Sequence, residues 1–470
     1  MRKITDTLRQ GATRIVWFFS MLVVFSCQDY NVEEVFDKSA AERSQESINN
    51  LRDLLKSSEH GWTVSYKPSQ DETGYYQFVF KFMKDSVVEV ASDFSPADLT
   101  PKTSNYDVLL GSTTKLSFST YSSLHKLSDS NFSPIPGNGG AGLKGDFEFL
   151  YYGTTEEGDI IFRTNRTQDT LIFHKANANS IADLATSYDN LPKLTGGTSV
   201  YRALEEINGS DVVEGQSSFA FPYNARVISI RSVIETEEDG EIVKSFDADY
   251  ITGYGLTPEG IFLDSVKRAD GSSVKHVVFQ FDTDEGRFIS MLNDGSKLAI
   301  GDIYAPIIPV DGQKYFLNAA LTSNLFFSFG DPDMGPLTTD AFNELYLAAA
   351  PIGLTASFRL YYQLPFGGDS IDYAFLPGTA SVINGNVRQL LNYEDLGDRL
   401  VMTTNGFRDA NSAIKPENEA LYNQFMDVLT DPDGWYVENL GRATRFTNLV
   451  FTFTSVKDPS IRIGFYHLAP

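Results

Sequence analysis

The segment Tyr76-Gln-Phe-Val-Phe-Lys-Phe82 sets a ring at every second position, and this period of two constrains the fold more than any other feature. Successive side chains of a strand point to opposite faces, so such a run buries its rings on one side of a sheet. Strand-like runs recur at short intervals: Trp62-Thr-Val-Ser-Tyr66, Val87 to Val90, Leu116-Ser-Phe-Ser-Thr-Tyr121, Phe147-Glu-Phe149, Ile160-Ile-Phe162 and Leu171-Ile-Phe173. Gly, Asp, Asn and Ser separate them, as tight turns require. Further along, Ala225-Arg-Val-Ile-Ser-Ile230, Val277-Val-Phe-Gln-Phe281, Ala356 to Gln363, Ile371 to Leu376 and Leu449-Val-Phe-Thr-Phe453 repeat the theme. Short strands joined by short turns predict antiparallel sheets.

Helical spacing interrupts this pattern. Ser39-Ala-Ala-Glu42 fits a capping box, after which Ile48, Leu51 and Leu55 fall on one helical face, and Gly61-Trp62 ends the element. A short helix is expected near Val200 to Ile207, another over Thr338 to Ala350, and a third from Pro416 with the stripe Leu421, Phe425, Val428 and Leu429. The fold class expected is α+β: mainly antiparallel sheets with a few packed amphipathic helices. The expected divisions are 1–26, 27–37, an α+β domain over 38–176, a β-rich middle over 177–318 and an α+β domain over 319–470. The two ends echo each other. Each runs amphipathic helix, Gly-Trp, strand, then an aromatic strand followed by Lys-Asp (Lys84-Asp85, Lys457-Asp458), which suggests a duplicated unit.

The first 27 residues carry an address. Arg2, Lys3, Arg9 and Arg14 precede the apolar run Ile15 to Phe25, and Ser26-Cys27 follows at once. A basic start, an apolar run too short to span a bilayer and a small residue before the cut describe a secretory signal. Cys27 is the only cysteine in 470 residues. Val24-Phe25-Ser26-Cys27 resembles the bacterial lipobox, with Phe25 departing from the small residue usual there. The resemblance implies a lipid on Cys27, cleavage before it, and residues 27–37 as a tether. No second cysteine exists for a disulfide, so stability must come from the core.

The chain carries −24, and removing the signal, at net +3, leaves about −27. That argues against nucleic acid and anionic lipid surfaces as partners. Hydrophobic residues make up 42%, with 35 Phe and 23 Tyr, so the chain is not of disordered composition.

Chemical motifs are sparse. The five histidines, His60, His125, His174, His276 and His467, show no metal-ligand spacing. There is no Gly-x-Ser-x-Gly elbow, and the one cysteine is taken up by the anchor. Gly137-Asn-Gly-Gly-Ala-Gly142 lacks the Lys and following helix of a phosphate loop. Asp282-Thr-Asp-Glu-Gly286 and Asp331-Pro-Asp-Met-Gly335 offer carboxylates that suit calcium, but both also read as tight turns. No metal and no cofactor are expected. Candidate ligand-binding residues are His125, beside an aromatic strand, and Trp62 and Trp435, whose rings would suit stacking on a sugar; packing at the helix-to-strand junction is the plainer reading of both tryptophans.

Val35-Phe-Asp-Lys-Ser-Ala-Ala-Glu-Arg43, Gly61-Trp62 with Tyr66-Lys-Pro68, Gly74-Tyr75, Leu124-His125, Gly145-Asp-Phe-Glu-Phe149, Thr257-Pro-Glu-Gly-Ile261 and Asp433-Gly-Trp435 together resemble a Bacteroidota lipoprotein family classed as domain of unknown function 4302. The resemblance implies an outer-membrane setting, lipid-anchored and exposed at the cell surface, beside starch-utilisation-type (Sus-like) nutrient-uptake transporters. Asp29, Glu33 and Glu34 after Cys27 fit that surface address. No reaction and no functional residues come with it. The reading favoured is a non-catalytic surface lipoprotein that binds a glycan or peptide or supports a Sus-like complex. The alternatives are a glycan-directed surface hydrolase using scattered carboxylates, and a structural envelope or adhesion protein.

Overall fold

The computed structural model describes residues 38–132, 140, 142–209, 211–212, 217–220, 225–238, 240–318, 323–328, 330–331, 333–348, 357–364, 368–374, 387–408, 419–443 and 447–468. Cys27 with its signal and tether, most of the glycine-rich 137–142 segment, and Pro416 lie outside the described residues.

Ser39 starts the Ala40–Lys56 helix as its spacing predicts: its hydroxyl accepts from Glu42 N–H, and the Glu42 carboxylate accepts from Ser39 N–H at 2.9 Å. The helix lays Leu51 and Leu55 on the first barrel. That barrel closes from β1 (Trp62–Tyr66), β2 (Tyr76–Phe82), β3 (Val87–Ser92), β4 (Lys102–Leu110), β5 (Thr114–Phe118), β6 (Glu148–Thr154), β7 (Ile160–Thr164) and β8 (Thr170–Lys175). Tyr76, Phe78, Phe80 and Phe82 are all buried, so the period of two sends every ring inward. Phe80 meets Phe118 at 5.0 Å and Phe173 at 5.5 Å between centroids, an aromatic core filling a small barrel.

The middle unit contains β9 (Tyr201–Asn208), β10 (Asp211–Val212), β11 (Ser217–Ala220), β12 (Val227–Glu238), β13 (Glu241–Phe246), β14 (Tyr250–Thr257), β15 (Gly260–Lys267), β16 (Ser273–Asp282), β17 (Arg287–Met291) and β18 (Lys297–Ile303). β18 pairs back onto β9 from Lys297↔Ile207 to Ile303↔Tyr201, which closes a ring. The helix expected over Val200 to Ile207 is thus strand β9. Arg, Ala, Leu and Glu there favour a helix locally, but pairing on both sides and burial of Ala203 and Leu204 override propensity. Two helices at Ser180–Tyr188 and Asn190–Thr195 precede the ring. The outer half of β12 leaves the ring and pairs with β13, from Val233↔Phe246 to Glu238↔Glu241.

The last unit is again a closed barrel: β19 (Ser323–Ser328), β20 (Ser357–Leu364), β21 (Gly368–Ala374), β22 (Val387–Asp395), β23 (Leu400–Phe407), β24 (Trp435–Gly441), β25 (Val450–Ser455) and β26 (Arg462–Leu468). The Glu419–Leu429 helix buries Tyr422, Phe425, Met426 and Leu429 against it.

The echo between the ends is a shared hydrogen-bonded unit. Trp62 Nε1 donates to Leu55 O at 2.7 Å, and Trp435 Nε1 donates to Leu429 O at 2.8 Å. Each indole satisfies a carbonyl that a helix end would otherwise leave unpaired. The glycine before each tryptophan sits at positive φ, +88° for Gly61 and +81° for Gly434, a conformation a side chain would strain. In the first barrel this unit supplies the first strand; in the last barrel it supplies β24, the sixth. In both barrels the strand order follows the chain, and this unit enters the two at different points.

Two junctions join the units. Gly74 N–H donates to Ala225 O and Tyr75 N–H to Tyr254 O, both at 2.8 Å. Arg226, at φ +58°, reaches across to Asp93 Oδ2 at 2.6 Å and to the carbonyls of Tyr75 and Asp93. Between the middle ring and the last barrel, Val200 N–H donates to Pro459 O at 2.9 Å.

Candidate functional site

A cleft of about 510 Å3 opens where the middle ring meets the last barrel. Its size lies within the roughly 300–1,000 Å3 usual for ligand sites. The connection after β18 forms one wall with Ile307, Ile308 and Val310, all half-buried, and Pro306 and Pro309 fix its backbone φ. Tyr201 and Arg202 come from β9, Arg231 from β12, Lys244 and Phe246 from β13, Glu438 from β24 and Arg462 from β26.

Two guanidinium-over-ring pairs line the cleft. Arg231 stands 4.6 Å from the Phe246 centroid, and Arg462 stands 5.9 Å from that of Tyr201. Tyr201 also meets Tyr436, edge to face at 6.0 Å. Each cation of the cleft also has a carboxylate. Arg462 donates to Glu438 and, at 3.2 Å, to Thr454 Oγ1. Arg202 lies 3.5 Å from Asp302, Lys244 3.0 Å from Glu235 and Arg231 3.8 Å from Asp249. Burial pulls Arg202 below its ordinary value against the pull of Asp302, and burial pushes the Tyr201 phenol up, helped by Glu438. Tyr201 therefore stays protonated at neutral pH. The cleft carries fixed charge in both signs, flat groups and an apolar wall, which suits a polar ligand without strong net charge.

The residues singled out in the sequence lie elsewhere. Trp62 and Trp435 have 0% exposure, so neither ring has a face to offer a ligand; the stacking expectation for both is corrected to a packing role. His125 is half-buried in the first barrel. Its Nδ1 accepts from Ser122 N–H at 3.1 Å, and Nε2 donates to Phe118 O at 3.1 Å. Burial pushes its pKa down despite the bond to Phe118, so the imidazole is neutral at pH 7. Its ring stacks with those of Tyr121 and Phe147, both solvent-exposed. Of the other histidines, His174 Nδ1 contacts Asp159 Oδ2 at 2.6 Å, and burial lowers the pKa of His467. Asp282 Oδ1 accepts from the N–H groups of Asp284 and Glu285, and Asp331 Oδ1 from that of Asp333, so both carboxylate clusters close turns. Among the described residues, no three His, Cys, Asp or Glu side chains are placed to hold a metal ion.

The cleft itself was missed by sequence reading. Its residues come from six strands and the connection after β18, spread over Val200 to Arg462, and no spacing rule links them.

Residues 32–282 match DUF4302, described as a domain of unknown function. This stretch spans the first barrel and most of the middle ring. No curated protein matches the sequence. Among solved structures, a beta sliding clamp of C. crescentus aligns over 90% of this chain and 96% of its own at 8% identity, with a TM-score of 0.15. DNA polymerase III subunit beta from Borrelia burgdorferi aligns over 91% and 97% at 10% identity, with a TM-score of 0.13. Neither score indicates a shared fold. No described helix is long and apolar enough to cross a membrane.

Proposed function

The chain belongs to the DUF4302 family, and from that premise we propose a non-catalytic, lipid-anchored lipoprotein of the outer-membrane surface that binds a glycan in the cleft between its middle ring and last barrel. The observation that carries the reading is the pairing of Arg231 over Phe246 and Arg462 over Tyr201 along one cleft whose cations are all matched by carboxylates. A sugar hydroxyl both donates and accepts, so it can bond each half of an ion pair, while the faces of sugar rings pack on flat groups. An acidic polymer would meet the repulsion of a cleaved chain at about −27, the −24 of the full sequence less the +3 of its signal. The basic, apolar and Cys27 segments at the start support the anchor, and the family resemblance supports a place beside a Sus-like transporter.

Titration calorimetry against neutral oligosaccharides of several linkages tests this. One class should bind, and Arg231→Ala and Phe246→Ala should each weaken it about tenfold or more with unfolding unchanged. If no neutral saccharide binds, or if the bound one is indifferent to both substitutions, the cleft is not a glycan site.

A further inference from the structure

We propose a second saccharide-binding site on the first barrel, where Tyr121, His125 and Phe147 form a stacked platform that holds one sugar ring; the ligand class rests on the reading of the cleft. Tyr121 lies 5.7 Å from His125, and His125 lies 4.7 Å from Phe147, each pair inclined by 25°. Tyr121 is 57% exposed and Phe147 36%. The His125 ring is half-buried and neutral, so the three stacked rings carry no charge of their own.

The stack is fixed from three sides. His125 is pinned by the Ser122 N–H and the Phe118 carbonyl. The Tyr121 hydroxyl donates to Asp129 Oδ2 at 2.7 Å, and Asp129 Oδ1 in turn accepts from Asn131 N–H and Nδ2, both at 2.9 Å. Those bonds, first that from Asn131 N–H and then that from Tyr121, hold the Asp129 carboxyl below its ordinary value, so it is ionised at neutral pH. An exposed tyrosine usually leaves its ring free to turn. Here the ring is aligned before anything binds, which lowers the ordering entropy of association. A carboxylate has about four lone-pair positions, and three are used; the fourth can take a sugar hydroxyl beside the ring.

The geometry discriminates between occupants. A cage for an ammonium or guanidinium group needs ring faces converging from different directions around the cation. The three rings are nearly parallel, and the two exposed ones, Tyr121 and Phe147, are flat groups that match the C–H face of a sugar. The site lies on another unit than the cleft, so one polysaccharide could engage both, and its apparent affinity would exceed that of a short fragment.

The test uses the full chain in detergent micelles, with hexasaccharides and long polymers of xylan, glucan and mannan as probes; if no polymer binds, the proposal is overturned. Tyr121→Ala should weaken the polymer about tenfold and leave the Arg231-dependent short-fragment binding intact, while Tyr121→Phe, which keeps the ring, should retain most of the affinity. Loss of binding in Tyr121→Ala with Arg231→Ala inert would leave this site standing and sink the cleft. The proposal is overturned if Tyr121→Ala binds polymer like the parent, if Tyr121→Phe is as weak as Tyr121→Ala, or if choline or free arginine binds the platform where saccharides do not.

Discussion

Replacing Arg226 with Ala tests how the first barrel and the middle ring are held together. The side chains of Arg226 and Asp93 are 5% and 0% exposed, and their closest charged atoms are 2.6 Å apart. The guanidinium also donates to the carbonyls of Tyr75 and Asp93 and lies 4.6 Å from the Tyr76 ring centroid. Truncation removes all of these at once. Asp93 is then left with the Gln77 N–H at 2.8 Å as its remaining strong donor. Breaking a buried pair by deleting one partner costs about 3–5 kcal/mol, and each stranded carbonyl adds up to about 1–3 kcal/mol unless water reaches it. These terms are not additive, so we expect Arg226→Ala to destabilise by about 4 kcal/mol. Asp93→Asn alone should cost about 3 kcal/mol, because it strands the guanidinium instead. The double variant should cost about 5 kcal/mol, less than the sum, since the second change relieves the charge left by the first.

Urea unfolding followed by tryptophan fluorescence measures all three, and the losses should be insensitive to salt because water does not reach the pair. Acidification supplies an independent check. Burial pushes the Asp93 carboxyl up even against Arg226, and without Arg226 it rises further. A carboxyl whose folded pKa lies above its unfolded value of about 3.9 takes up a proton more readily in the folded state. Arg226→Ala should therefore recover relative to the parent as pH falls from 7 towards 5. A loss under about 1 kcal/mol, strictly additive losses, or a gap that widens on acidification would refute the reasoning.

Trp62→Phe and Trp435→Phe should each cost about 2–3 kcal/mol in thermal or urea unfolding, since each leaves a helix-end carbonyl unpaired and a small void in a barrel core. The two losses should match closely, one in each barrel. His125 has its folded pKa pushed below its unfolded value of about 6.5 by burial, so its contribution is fully present above pH 6.5 and is lost as pH falls below it. In His125→Asn the unfolding midpoint should change less between pH 7.5 and 5.5 than in the parent. Cys27→Ala should move the protein from the membrane to the soluble fraction on cell fractionation; full retention on the membrane would refute the anchor.

Legibility in the sequence followed the range of the physics. Local rules found the Ser39 capping box, the inward rings of Tyr76 to Phe82 and the two Gly-Trp junctions, because each depends on residues within one or two turns of one another. Val200 to Ile207 was misread because its residues favour a helix while its partners, Lys297 to Ile303, lie about a hundred positions away. The ligand role weighed for Trp62 and Trp435 failed for a related reason: an indole beside a glycine does not reveal whether its faces will be covered, and cover comes from the rest of the barrel. The cleft was invisible because Arg231 and Arg462 become neighbours of one cavity only after two units dock. His125 was noticed for its aromatic neighbours, yet Phe147, which completes the stack, is distant in sequence.

Ring closure also orders events in time. The first barrel can seal once β8 emerges, at Lys175, and the middle ring once β18 emerges, at Ile303. The last barrel pairs β19 with β26, so Asn324 to Phe326 must wait for Tyr466 to Leu468, about 140 positions later. Two units can thus be complete while the third still exposes an unpaired strand at each side of its gap. A nascent chain stalled before β26 would present those two strands to any neighbour, and a stop codon ahead of Arg462 would damage one barrel while sparing the other two.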